Sequence, residues 1–520
     1  MEKVATAKSH KILFLNTLAF TICFAAWMFN GVLVTFLVDH QVFKWGPVEI
    51  GWLLGIPVLT GSIFRLPAGL LTDKFGGKPV YGTLLLLCAI PMYLLSKADS
   101  FTWFALCSFG FGLAGVSFAI GIAFTSVWYP KHQQGTALGI FGAGNAGAAL
   151  TTLLAPTLLK KLTAGGTNID GWRELPVYYA LVLAGMGILF FLLAENKKPA
   201  SSGKSIRQMC APLKDIRVWR FGLYYFLVFG CFVAFAQWLV PYFVNVYYLP
   251  LVTAGLFASI FSFPSGVIRA FGGWLSDRFG GREVMYWVLG ISTVVSLLVM
   301  VPKMEVYSPG RGVMALRGGV VTEVSATRIQ VGEVPYQLKE KPAGLESYDE
   351  GMLIFPTKQT WQEPVVEVGQ TVSKRELLAK GVTRIFFQAN VWIFAFLVFL
   401  LGSIWGIGKA AVYKLIPDHF PGEVGVVGGM VGVLGGLGGF VCPIAFGYLL
   451  EGTGLWTSCW MFMFILSLVC LLSLHRAIEK AMKEKHPRDM DLIESQSGLP
   501  NAENERQAGK PPLSGKSPVL

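Results

Sequence analysis

Three cations lie in stretches of chain that are otherwise apolar. Arg65 sits in SIFRLPAGLLTDKFGGK, Arg269 in GVIRAFGGWLSDRFGGR and Lys409 in GIGKAAVYKLIP. Each arginine precedes a loop aspartate, Asp73 or Asp277, by eight residues. Eight helical residues rise ~12 Å, which brings each guanidinium close to the middle of a bilayer. A cation there costs at least ~2.5–3.5 kcal/mol. No Asp or Glu lies in the interior of any apolar segment, so neither arginine has an obvious resident partner. A mobile anion is the natural counter-charge. The arginine fork donates two parallel hydrogen bonds in one plane, which suits a small planar oxyanion. Lys409 is a third cation at similar depth, eight residues before Pro417. Three readings stay open for it: it snorkels to an interface, it adds to the anion site, or it carries a proton during the working cycle.

The elements that must hold these side chains follow from hydropathy. Of 520 residues, 53% are hydrophobic and 14% charged, with a mean hydropathy of +0.56. A soluble chain carries about a quarter charged residues. Apolar runs recur at about 12–38, 50–72, 79–97, 101–129, 134–159, 174–194, 220–247, 252–276, 283–302, 390–415, 424–450 and 454–474. Most match or exceed the ~20 residues that cross the hydrocarbon, and backbone in lipid must pair internally, so all are expected to be helices. The first run is too long for a signal peptide. Basic loops follow the second, fourth, sixth and eighth runs, and the tail begins HRAIEKAMKEKHPR. The positive-inside rule puts these loops and both termini in the cytoplasm. The net charge of +12 is read the same way, not as a nucleic-acid footprint.

The expected division is 1–197 for the first six helices, 198–218 for a cytoplasmic linker, 219–302 for helices seven to nine and 386–476 for helices ten to twelve. Residues 477–520 are expected to be a disordered tail, polar and rich in Pro, Gly and Ser. Between them, 303–385 holds GGVVTEVSATRIQV and EPVVEVGQTVSKRELLAKG, which alternate like short strands. This reads as a β-rich, barrel-sandwich-like insert outside the cytoplasm. Its strands resemble a lipoyl or biotinyl hairpin domain, with Lys358 as the imaginable attachment point. The lysine-centred signature of such domains is missing, so an unmodified decoration is the reading adopted.

The chain repeats itself. FRLPAGLLTDKFGGK aligns without a gap with IRAFGGWLSDRFGGR at an offset of 204, so Arg65 matches Arg269, Asp73 matches Asp277 and Lys78 matches Arg282. PKHQQG and PDHFPG align at the larger offset of 287 that the insert demands. GIFGAGNAGAA and GGMVGVLGGLGGF then become a pair of glycine-rich helices, with Gly144, Gly147, Gly436 and Gly439 allowing close packing that slides or rocks. Paired repeats around a central site are the architecture of secondary transporters.

With these motifs the chain resembles the major facilitator superfamily, and both arginines with both glycine-rich helices resemble its nitrate/nitrite porter family. The resemblance implies an all-α fold of twelve transmembrane helices in two pseudo-symmetric halves. It implies that Arg65 and Arg269 clamp the anion, that Phe118 and Tyr225 close over it, and that Asn145 in GAGNAG lies beside it. By residue chemistry alone, Phe118 and Tyr225 could be packing, Asn145 could be interhelical glue, and formate or oxalate would suit the arginines as well as nitrate or nitrite. Trp405, the repeat partner of Phe118, is a weaker candidate. Asp73 and Asp277, with Lys78 and Arg282, are expected to lock the inward gate.

The expected function is exchange of nitrate for nitrite by alternating access. Proton-coupled nitrate uptake through Lys409 and carboxylate exchange are the alternatives, and a transporter-shaped sensor is a reading of another class. The expected partners are the anion, protons on the symport reading, and lipid; no nucleic acid, cofactor or metal is expected, and the chain is expected to be a monomer. None of the eight cysteines forms a CxxC pair, and no nucleophile–base pair or phosphate-cradling loop is seen, so an enzyme is not expected.

Overall fold

A computed structural model describes residues 6–198, 211–300, 304–342, 357–387, 390–420 and 424–485. Among them, eleven helices are long and apolar enough to span a membrane, and one bent pair makes a twelfth. We label these α1 (Ala7–Asp39), α2 (Pro47–Phe75), α3 (Gly77–Leu95), α4 (Phe101–Trp128), α5 (Thr136–Leu162), α6 (Ile169–Leu193), α7 (Ile216–Tyr247), α8 (Leu251–Val267 with Arg269–Phe279), α9 (Gly281–Val299), α10 (Val391–His419), α11 (Val426–Thr453) and α12 (Ser458–Lys480). The protein is a multi-pass membrane protein with an all-helical transport body.

Two expected boundaries are corrected, and one helix proves bent. The linker was expected to reach 218, but α7 begins at Ile216, where the Asp215 carboxylate accepts from the Arg217 backbone N–H at 2.8 Å and caps the helix. The last helix runs on to Lys485, so the expected tail from 477 starts as helix; its Lys-, Glu- and Ala-rich sequence is good helix former. The eighth run is not straight, and its two segments meet at 46° between Val267 and Arg269. Cys210 and the rest of the tail lie outside the described residues.

Local geometry explains the loop motifs. Gly76 and Gly280 hold equivalent places in DKFGGK and DRFGGR, and their φ values are +87° and +89°. Only glycine takes that backbone freely, so each loop turns at once from one helix into the next. In α2 the chain also breaks at Phe64, between the segments Pro47–Ile63 and Arg65–Phe75. Pro67 lies just beyond and cannot donate to the Ile63 carbonyl. Both repeat arginines thus open the second segment of a broken helix.

The halves close on one side only. A Cβ at Gly31 of α1 would stand 2.8 Å from the Gln237 Cα of α7, and one at Gly55 of α2 would stand 2.8 Å from the Phe440 carbonyl oxygen of α11. Gly255 of α8 sits as tightly on Thr152 of α5. Gln237 also donates to the Leu54 carbonyl across the halves at 3.3 Å. On the other side, towards the DKFGGK and DRFGGR loops, a Cβ at Gly69, Gly273 or Gly429 would meet nothing within 4 Å. The tight glycine contacts between the halves thus lie towards the end carrying the 40–46 loop, the closed end, and these three glycines towards the repeated basic loops, the open end, meet no such neighbour.

The insert is a β domain at the closed end, as its position after α9 requires. One sheet has the order β1 (Met304–Met314), β7 (Leu377–Phe387), β5 (Thr357–Pro364). The other runs β4 (Val334–Gln337), β3 (Arg328–Val331), β2 (Gly319–Val324), β6 (Thr371–Val372). The strand pairings among the described residues are antiparallel, and Val321, Ile329, Val331, Tyr336 and Leu378 lie in its small core. Lys358 pairs with Ile385 along β5, away from any hairpin tip.

Candidate anion site

Arg65 and Arg269 converge on one ring. Their guanidinium carbons lie 5.6 and 5.3 Å from the centroid of Phe118, which reaches them from α4. Arg65 is further backed by Trp27 at 5.8 Å and Phe229 at 5.3 Å, and Arg269 by Tyr413 at 5.7 Å. Ring faces attract a cation and exclude water, so the aromatic lining supports charge where lipid would not. Phe118 and Phe229 stack with centroids 6.4 Å apart, which joins the two halves at this level.

The two arginines differ in how they are held. Arg65 is 4% exposed; its Nε donates to the Gly61 carbonyl at 3.1 Å and its Nη1 to the Gly432 carbonyl of α11 at 2.7 Å. Its Nη2 is buried without an acceptor. Arg269 is half-buried, and its Nη1 is likewise buried without an acceptor. Neither guanidinium makes an ion pair among the described residues. Buried donors on two cations with no carboxylate partner among the described residues leave a need for negative charge between them.

The other expected residues fall at different distances from this centre. Tyr225 is fully buried, stacks on Phe229 at 5.0 Å and meets Tyr413 edge-on at 5.1 Å. It is close enough to both guanidiniums to interact with each electrostatically, and its hydroxyl is buried beside Tyr413 and Arg269. Asn145 is fully buried on the short turn Ala143–Ala146 of α5, with neither end of its amide partnered. That turn follows Gly142, where a Cβ would come within 3.4 Å of the Arg269 Cδ. Lys409 is 0% exposed, so it does not snorkel; its ammonium donates to the Ser265 hydroxyl at 2.9 Å. Trp405 lies elsewhere. It packs on Phe235 and Phe261 and donates to Ser292 at 3.0 Å, contacts within the C-terminal half.

The glycines divide by position. Gly144 and Gly147 press on Phe20 and Thr21 of α1, within one half. Gly436 faces Ser62 and Arg65 of the opposite half, and Gly439 lies against Val58 and Val233 at 2.8 Å. At the open end, Asp277 pairs with Lys414 of α10 at 2.7 Å, inside its own half. Asp73 is half-buried without an ion pair among the described residues, and Arg282 is exposed. The backbone N–H of Lys78 donates to Asn196 at 3.3 Å. Trp27, Phe229, Tyr413, Ser265 and the Gly432 carbonyl belong to the site and carry no sequence signal that singles them out.

Comparison with known proteins fits this arrangement. The sequence profile of the Major Facilitator Superfamily matches residues 15–321 and 377–514, leaving out most of the insert. A "probable nitrate/nitrite antiporter NarK1" of Thermus thermophilus is 38% identical over 480 residues, 91% of this chain and 93% of that one. A "nitrite extrusion protein" of Bacillus subtilis (strain 168) is 29% identical over 315 residues, 60% of this chain and 77% of that one. Among solved structures, an inward-facing, occupied bacterial homologue of the human lysosomal transporter Spinster aligns with a TM-score of 0.62 at 11% identity, over 91% of this chain and 98% of that one. The nucleoside transporter NupG aligns with a TM-score of 0.57 at 12% identity, over 90% and 99%. These two share the fold. The family and its relatives are transporters, not enzymes. The chain belongs to the nitrate/nitrite porter family of the Major Facilitator Superfamily.

Proposed function

We propose that the protein exchanges nitrate and nitrite across the cytoplasmic membrane by alternating access, with both termini and the repeated basic loops in the cytoplasm. One observation carries this reading: two guanidiniums share the Phe118 ring, each with a buried N–H that has no acceptor, and no carboxylate pairs with either among the described residues. A planar monovalent anion between them accepts from both forks. Phe118 and Tyr225 then cover it, and the Asn145 amide supplies a neutral donor near by. An empty site keeps two like charges facing each other in a low dielectric, which opposes reorientation. The anion removes that barrier, so movement is tied to a loaded site on both strokes. That coupling is what makes exchange, and the name of the Thermus thermophilus relative, a probable nitrate/nitrite antiporter, supports the reading.

In this scheme the two halves rock about the anion. The contacts at Gly31, Gly55 and Gly255 open while the Gly69, Gly273 and Gly429 surfaces come together. Asp73 and Asp277 with their basic neighbours would then hold the cytoplasmic end shut. The test is counterflow in proteoliposomes with labelled nitrate outside. Uptake that needs nitrite or nitrate inside, and that ignores an imposed pH gradient, is the expected result. Uptake into vesicles without internal anion, driven by acid outside, would replace exchange with proton symport. Stronger competition by formate or oxalate than by nitrite would reassign the substrate to small carboxylates.

A further inference from the structure

Lys409 is left over by the arginine clamp. Its ammonium is fully buried and reaches one polar partner among the described residues, the Ser265 hydroxyl. No carboxylate of any element packed around it pairs with it among the described residues; the charged groups at this level are Arg269 of α8 and Arg65 of α2. Phe232 lies with its ring centroid 3.1 Å from the ammonium and Phe229 at 5.9 Å. Phe229 is the same ring that backs Arg65. Two aromatic faces attract a cation, yet two of the three ammonium donors have no protein acceptor in view.

Position gives this lysine its meaning. Ser265 precedes Arg269 by four residues on α8, one helical turn or ~6 Å of rise, across the bend of 46° between the two segments. The turn leads away from the open end, because a Cβ at Gly266 next to it would stand 3.0 Å from the Ala146 backbone nitrogen and Gly255 beyond it is packed on Thr152. The Ala143–Ala146 turn that meets α8 here also carries Asn145, buried with both ends of its amide unpartnered. Since Ser265 accepts from the ammonium, its own O–H stays free to donate. An ammonium and a hydroxyl thus stand one turn deeper than the arginine pair, where the α5 turn that carries Asn145 packs on α8.

We infer that Lys409 and Ser265 form a second anion position for the same class of ligand, a planar monovalent oxyanion, between the arginine pair and the closed end, with the Asn145 amide lying between the two positions. It rests on the reading of Arg65 and Arg269 as an anion clamp. An ion leaving the arginines towards the closed end meets a compensating cation before it meets lipid-like packing. The position therefore lowers the barrier on that stroke, and it lets an incoming ion arrive before the outgoing one has cleared the site.

The experiment measures nitrate bound per chain by equilibrium dialysis of the purified full chain in detergent, followed by counterflow of the same preparations. Wild type is expected to bind two nitrate ions with different affinities. Lys409→Met is expected to bind one, to keep the tighter half-saturation within about twofold, and to exchange at least ~10-fold more slowly. Ser265→Ala should weaken the looser site alone. Lys409→Arg, which keeps the charge, should restore part of the rate, and monodisperse elution of each variant shows that it folds. One nitrate per wild-type chain, or Lys409→Met exchanging at the wild-type rate, overturns the second position and leaves the clamp standing. Loss of nothing except acid-driven uptake in Lys409→Met makes the lysine a proton carrier and also overturns it. No saturable nitrate binding to wild type overturns both readings.

Discussion

Arg65 and Arg269 hold equivalent places in the repeat but not equivalent surroundings. Arg65 is tied to two backbone carbonyls, one of them Gly432 in the opposite half, and is almost without exposure. Arg269 is half-buried on the side that opens, with its Nη1 unengaged. A duplicated sequence thus supplies one post that crosses the seam and one arm that faces the approaching ion. The lesson is that a repeat conserves position in the helix, while burial is set by whatever the other half presents there. A two-state machine needs that inequality, because perfectly equal halves would give no side to open first.

The comparison can be broken most sharply by deleting each charge. Arg65→Ala and Arg269→Ala should each lower nitrate exchange by more than about 100-fold, to background, with normal membrane insertion. Normal exchange by either variant removes the clamp. Lysine replacements sharpen the difference between the two. Arg269→Lys loses the fork and should raise the half-saturation concentration about 10-fold, close to 1.4 kcal/mol, with little change in maximal rate. Arg65→Lys also loses the bond to Gly432, so its maximal rate should fall along with its affinity. Equal kinetic changes in both variants would erase the distinction.

A third prediction compares the two ends of the molecule. Gly255→Leu would force α8 from Thr152 at the closed end, whereas Gly273→Ala faces open space at the other. The first should shift the population towards the conformation open at the insert end, read as faster labelling of a cysteine introduced at that end. The second should leave labelling in this state unchanged. The smallest effect concerns the insert. Trp361 donates to the Glu363 carboxylate at 2.9 Å and Lys380 pairs with it at 3.0 Å, which together hold its pKa below the usual carboxylate range. A depressed folded value contributes stability above the unfolded carboxylate pKa and loses it as pH falls through the folded one. The site is largely solvated, so the contribution should stay below about 1 kcal/mol. Glu363→Gln should remove a small acid-dependent rise in hydrogen exchange of β5 and β7; an unchanged acid profile in that variant would mean the rise comes from another group.

Much of this was readable beforehand. Twelve spans, their pairing as a repeat, the β insert and two unmatched arginines follow from hydropathy, a gapless alignment and the absence of intramembrane acids. What was hidden has a physical reason in each case. Every residue carries a carbonyl, so nothing marked Gly432 as the acceptor for Arg65. Trp27, Phe229 and Tyr413 stand among dozens of aromatics in apolar helices, and only packing shows which rings line the site. The irregular turns at Gly112–Val116, Ala143–Ala146 and Phe226–Cys231 arise where helices press on neighbours, not from local preference. Lys409 looked able to reach an interface until Ser265 and Phe232 were found around it.

The stalk of the insert has a mechanical implication. β1 and β7 pair from Met304 opposite Phe387, so the chain leaves the body after α9 and returns before α10 through feet only one strand spacing apart. Both feet join the C-terminal half, one following α9 and one preceding α10. The β domain is therefore a pointer mounted on the C-terminal half. A spectroscopic probe on its exposed rim would register each stroke of the cycle from outside the hydrocarbon, without touching the path of the ion.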